Sequence, residues 1–135
     1  MIAKTLEPCL NPTQDTTNPS AQAHQTQRIR QLNDALRILG KGGRVMFTDG
    51  IIGHGLDFAA EVMKAVISFA DFNPDNDPWD EHDCATVEVT GRHGIGHKVI
   101  WKIDYYDRDL TYHSPDPADP AVTCRVLTIM LAEEY

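Results

Sequence analysis

Carboxylates crowd the middle of this sequence. Between Asp71 and Asp119 stand twelve acidic and four basic side chains, so this stretch carries the whole formal charge of −8 while the rest of the chain is balanced. Such a field repels nucleic acid and membrane surfaces and attracts cations or basic protein surfaces. Closely spaced carboxylates on a rigid domain can imitate a duplex, which carries about one negative charge per 1.7 Å of axis, and so occupy a Lys/Arg groove meant for nucleic acid. Asp75, Asp77, Asp80, Glu81, Asp83, Asp104, Asp107 and Asp109 are the residues suited to that role. The plainer reading of the same residues is a solvated face that maintains solubility, with some of the acids capping helices.

Aromatic side chains are interleaved with these acids. Trp101 and Tyr105 fall in an alternating apolar pattern that reads as core, whereas Trp79 and Tyr106 are expected at the surface. An exposed aromatic flanked by carboxylates suits an arginine-rich partner, through cation–π contact and ion pairing.

Metal or acid–base chemistry is the other possibility. Glu81-His82-Asp83, with Asp104 and Asp107, offers mixed oxygen and nitrogen ligands, and His82 has the chemistry of a base held by a carboxylate. Neighbouring side chains on an extended chain point to opposite sides, so the three cannot converge without a turn. No HExxH, EF-hand or nucleophile-elbow pattern occurs. The sequence therefore assigns no catalytic residue, metal or cofactor, and His82 reads as a loop residue hydrogen-bonded to its neighbours. Gly50 to Gly55 lies between a strand and a helix but lacks the Lys-Ser/Thr ending of a phosphate loop, so it reads as a plain loop. Gly91 to His97 places His93 and His97 at a hairpin tip, where two ligands on a flexible turn make a mobile tip a better reading than a metal site, with Ile95 as a candidate contact residue there.

The elements that must position these residues follow from periodicity. Ile29, Leu32, Leu36 and Leu39 predict a helix from Gln25, ended by Gly40, Gly42 and Gly43. Arg44 to Thr48 reads as a short strand. Phe58, Val62, Val66 and Phe69 predict a second helix from Asp57, its N-cap, to Phe72. Thr86 to Thr90 and Lys98 to Tyr106 alternate as the two strands of a β-hairpin, and Leu110 to Tyr112 extends the meander. Asp119-Pro120 has the form of a helix start, with Val122, Val126, Ile129 and Met130 as the buried stripe of a last helix. The expected class is α+β: a small antiparallel sheet, a hairpin or meander plus one short strand, covered by three helices.

A chain of 135 residues, 41% hydrophobic and 24% charged, fits one domain. Residues 1–24, rich in Thr, Asn, Gln and Pro, are expected to be a disordered tail, and residues 25–135 the single domain. No apolar run approaches the length of a membrane span, and the first residues lack the apolar stretch of a signal peptide. Cys9, Cys84 and Cys124 are odd in number and form no CxxC pair, which suits a cytoplasmic location; Cys84 and Cys124 read as small buried hydrophobes.

Long literal segments carry a resemblance. Phe72 to Pro78, Glu81-His82-Asp83, Trp101 to Asp107, Ser114 to Pro117 and Arg125 to Tyr135, in that order, resemble a bacterial domain-of-unknown-function family of small proteins often carried on conjugative plasmids and other mobile elements. The likeness covers about Arg28 to Tyr135 and departs at Gly91 to His97, where the hairpin turn is longer. It implies no activity and no catalytic residue. What it implies is a neighbourhood, since mobile elements encode proteins that blunt host restriction and CRISPR systems. Charge and resemblance together lead to one expectation: an acidic, anti-defence binding module, anti-CRISPR in its most specific form. It would occupy the basic surface of a host nucleic-acid-binding protein or complex, without binding nucleic acid or membrane itself. The alternatives are a small metal-dependent hydrolase using His82, Asp83 and Asp104, and a plasmid-maintenance accessory protein.

Overall fold

The computed structural model describes residues 19–135. Most of the expected tail lies outside these residues, but residues 19–24 belong to the first helix, α1, Pro19–Leu39. Proline suits a first helical turn, and the following Ala and Gln residues sustain a helix without any apolar stripe to announce it. Ile29, Asn33, Leu36 and Arg37 are buried on one face of α1. Gly40 ends the helix at φ 69°, while the N–H groups of Gly40 and Lys41 donate to the Leu36 and Ala35 carbonyls.

Strand β1, Gly43–Phe47, follows, then a short helix α2, Asp49–Gly53, inside the segment expected to be a plain loop. Helix α3 spans Leu56–Ser68, with Gly55 at its N-cap and Asp57 in its first turn instead of at the cap. It stops short of Phe72 because Phe69 turns extended. The hairpin appears as expected, with β2, Cys84–Thr90, antiparallel to β3, Gly96–Tyr106.

The largest departure is at the C-terminus. Residues Cys124–Leu131 form strand β4, where a helix was expected. β4 lies between β1 and β3 in a sheet of order β1-β4-β3-β2, parallel to β1 and antiparallel to β3. A central strand buried on both faces reads as a continuous apolar run, which periodicity cannot separate from a buried helix. Asp119 opens a turn, its carboxylate accepting from the Ala121 N–H at 2.9 Å. Leu110 to Tyr112 is also a turn: Asp107 N donates to Tyr112 O at 2.8 Å, and the only ladder contact there is the bridge Tyr106–His113.

The architecture is thus α+β: a four-stranded mixed open sheet with three helices, the third being α2. Phe58, Val62 and Val66 of α3 and Ile29 and Leu36 of α1 share one core with Val99, Trp101 and Ile103 of β3 and Leu127 and Ile129 of β4. Trp101 and Tyr105 are buried there, as the alternation required. Gly43 lets β1 approach β4: a Cβ at that position would stand 2.5 Å from the Arg125 carbonyl oxygen. Cys124 is a half-buried free thiol, and Cys84 is buried on β2. Among the described residues no helix is long and apolar enough to cross a membrane.

Candidate functional site

The segment between α3 and β2 is built by its own polar side chains. Asn73 Oδ1 accepts from the N–H groups of Asp75 at 2.9 Å and Asn76 at 3.1 Å. The Asn76 side chain accepts from Asn73 N at 2.9 Å and donates to Asp71 O at 2.8 Å. Asp77 closes the loop, its carboxylate accepting from Glu81 N at 3.1 Å and His82 N at 3.2 Å. Burial pushes the Asp77 carboxyl up, against the lowering effect of the His82 N–H and of the His82 charge. Asp80 and His82 take left-handed φ angles of 57° and 54° in this turn. That turn supplies the convergence a straight chain denies: ligand atoms of Asp77, Asp80 and His82 lie within 4.8 Å of one another.

His82 is held from two sides. Its ring stacks on Phe72, centroids 3.8 Å apart and planes 7° from parallel. Its Nδ1 meets Asp34 Oδ1 of α1 at 2.9 Å. An ionised carboxylate only accepts, so neutral His82 carries its proton on Nδ1 and turns the Nε2 lone pair outward. Nε2 faces Asp77 Oδ2 at 3.8 Å. A carboxylate behind an imidazole is the arrangement that orients metal-ligating histidines.

The ten residues the sequence singled out separate by depth. Asp75, Trp79, Asp80 and Asp109 are exposed, and Tyr106 and Asp107 half-buried. Asp77, Glu81, Asp83 and Asp104 lie in the interior and present no charge to a partner. Each of the four has internal work. Glu81, fully buried, accepts from the Tyr105 hydroxyl at 2.9 Å. Asn33 Nδ2 donates to Tyr105 Oη at 2.7 Å, while Asn33 Oδ1 accepts from Arg125 Nε at 2.8 Å. Asp104 pairs with Lys102, itself buried. The Asp83 carbonyl accepts from Ile103 N at 2.7 Å. The ligand group that converges around His82 comprises Asp77 and Asp80, with Asp34 at its other ring nitrogen, and does not include Asp83 or Asp104. Asp107 and Asp109 belong to a separate turn, where the Asp107 carboxylate accepts from Thr111 N at 3.0 Å. The Tyr106 hydroxyl is pushed up to about 12 by burial and by the charge of Asp104.

Trp79 is 37% exposed and borders a groove of about 620 Å³ between this loop and α1, lined also by Thr26, Gln27, Arg30, Pro78 and Asp80. Arg30 Nη1 ties the loop to the helix, donating to both the carbonyl and the carboxylate of Asp80 at 2.8 Å. Sequence reasoning missed Asp34, Arg30 and Phe72. Asp34 had one visible signal, the polar cluster Asn33, Asp34 and Arg37 on the helix face that also carries Leu36.

A family model described as a protein of unknown function (DUF3768) matches residues 25–134. No curated protein and no solved structure matches the chain.

Proposed function

We propose that this chain, which belongs to the DUF3768 family of proteins of unknown function, is a binding module and not an enzyme. It meets a basic protein surface through the Trp79 edge of its acidic loop. The observation that carries this reading is an exposed tryptophan beside Asp75 and Asp80 on a loop already fixed by its own hydrogen bonds. A preformed loop loses little conformational freedom on binding, and an exposed aromatic on an acidic loop suits an arginine-rich patch. The interior position of four carboxylates limits any imitation of a nucleic-acid phosphate array to Asp75, Asp80, Asp107 and Asp109. In its finer form the proposal makes the partner a nucleic-acid-handling complex of host defence, of restriction or CRISPR type. The resemblance to proteins of mobile elements motivates that choice.

The test is a pull-down from host lysate at low and high salt, run with the wild-type chain and with a Trp79→Ala, Asp80→Lys variant. A basic nucleic-acid-handling complex that elutes with salt and is lost in the variant is the expected result. Equal capture by both chains would overturn the role of the loop.

A second reading has its own observation. Asp77, Asp80 and His82 bring two carboxylates and an oriented imidazole together, as a divalent cation requires. On this reading the site serves metal-dependent hydrolysis: a bound cation shifts the His82 ring signals, and His82→Ala abolishes any turnover. Saturation with a divalent cation that leaves the His82 ring signals in place would remove it.

A further inference from the structure

At the other end of the sheet, two segments far apart in sequence bring imidazoles together. His54 follows α2, and His97 stands at the start of β3. Their ring centroids are 4.6 Å apart, with the planes at 57°. Phe58 of α3 braces both rings, 5.0 Å from His54 and 5.2 Å from His97. Gly91 leaves room beside them, since a Cβ there would lie 3.2 Å from the His97 ring. The imidazoles border a cleft of about 510 Å³ that Asp57, Glu61 and His93 also line.

We infer that this cleft binds a divalent transition-metal ion through His54 and His97. The spacing is the first argument. With metal–nitrogen bonds of about 2.0–2.1 Å, two imidazoles on one ion place their ring centroids about 4.5–5.2 Å apart, the shorter value for a right-angled pair. The chemistry of the surroundings is the second. Imidazole nitrogen with carboxylate oxygen is a donor set for zinc, nickel or copper and a poor one for calcium or magnesium. The carboxylates of Asp57 and Glu61 on the cleft wall favour a cation over an anion. Glu61 is engaged by Lys64 at 3.3 Å, which leaves Asp57, in the first turn of α3, as the carboxylate to complete the site. His93 sits on the 3-10 turn Arg92–Gly94 at φ 62° and can approach from the hairpin tip. The two placed imidazoles define the site; Asp57 and His93 line the same cleft without converging on them in this structure, so a third ligand from either requires a side-chain rearrangement. This centre is separate from the Asp77–His82 cluster and independent of the partner-binding reading.

The test uses the full chain and Zn²⁺ alone. Zinc is titrated by calorimetry, and in parallel by NMR of the histidine ring protons. The expected result is saturable binding of one ion in the cleft, with the His54 and His97 ring signals moving together. His54→Ala and His97→Ala should each weaken this binding more than about tenfold, while His82→Ala leaves it unchanged. Both histidines lie at the surface, half-buried or exposed, so circular dichroism can verify that these variants stay folded. Absence of saturable binding would overturn the inference. So would binding that leaves both ring signals in place, or that is lost in His82→Ala alone.

Discussion

Arg37 of α1 donates to the Val66 carbonyl of α3 at 2.8 Å. The same Nη1 reaches the Ile67 and Phe69 carbonyls at 3.2 and 2.9 Å. One guanidinium thus takes up the carbonyls that a helix C-terminus leaves open, with its charge at the negative end of the helix. It also lies over the rings of Trp101 and Phe72, 5.2 and 5.3 Å from their centroids. We predict that Arg37→Ala costs about 2–4 kcal/mol in urea unfolding, because it strands buried carbonyls as well as removing the charge. Amide exchange at the end of α3 should accelerate most. A loss under about 0.5 kcal/mol would mean that water replaces the cap.

Tyr105 provides an alkaline test. Its hydroxyl is pushed well above the ordinary tyrosine value, first by burial and then by the charges of Glu81 and Asp83. The folded chain therefore holds this proton where the unfolded chain releases it, and stability must fall as pH rises past the ordinary value of 10.0. Absorbance titration at high pH should show a tyrosine that ionises only together with unfolding. Tyr105→Phe should flatten that alkaline fall while costing about 1–3 kcal/mol at neutral pH, since Glu81 and Asn33 lose a partner. A Tyr105 that titrates freely in the folded chain contradicts the buried network.

Periodicity made α1, α3 and the hairpin readable in the sequence: the helices show one buried and one wet face, and β3 alternates apolar with polar residue types even where Lys102 and Asp104 are themselves buried. β4 was not readable for the opposite reason. Arg125, Leu127, Ile129 and Leu131 alternate with Val126, Thr128 and Met130, yet both sets are buried apart from half-buried Thr128, so no alternation of polarity survives. The acidic stretch was readable as a concentration of charge but not as surface. A buried carboxylate and a solvated one look alike until their partners are known, and those of Glu81 and Asp104 are Tyr105 and Lys102. The candidate site was half visible. His82 and its neighbouring acids stood out, whereas Asp34, 48 residues away, reaches His82 only through the packing of α1 against the loop.

Glu134 sets an acid limit. Its carboxylate accepts from the Thr48 hydroxyl at 2.6 Å, from Leu131 N at 2.8 Å and from Gly50 N at 3.0 Å, fastening the start of α2 to the chain end. Partial burial raises the carboxyl, but these three hydrogen bonds outweigh it and hold it below the ordinary value of 4.5. A depressed folded value gives stability that is present above the unfolded value and lost as pH falls through the folded one. Glu134→Gln should therefore lower the melting temperature at pH 7 by a few degrees and reduce its decline below about pH 4.5. Parallel melting curves for the two chains across that range would show that the clamp carries no proton-linked stability.

Asp34 controls which nitrogen of His82 is available. With Nδ1 at 2.9 Å from Asp34 Oδ1, neutral His82 should be the Nδ1–H tautomer, a minority form for free histidine. Nitrogen-15 NMR above the imidazole titration should find Nε2 unprotonated in the wild type. Asp34→Ala should return His82 toward the Nε2–H form and weaken any cation held with Asp77 and Asp80 by about 10–100-fold, the usual consequence of removing a carboxylate behind a ligand. A wild-type His82 protonated on Nε2 would leave no lone pair facing Asp77. The cluster would then be a turn stapled by hydrogen bonds, and the metal reading of it would fall while the Trp79 surface remained.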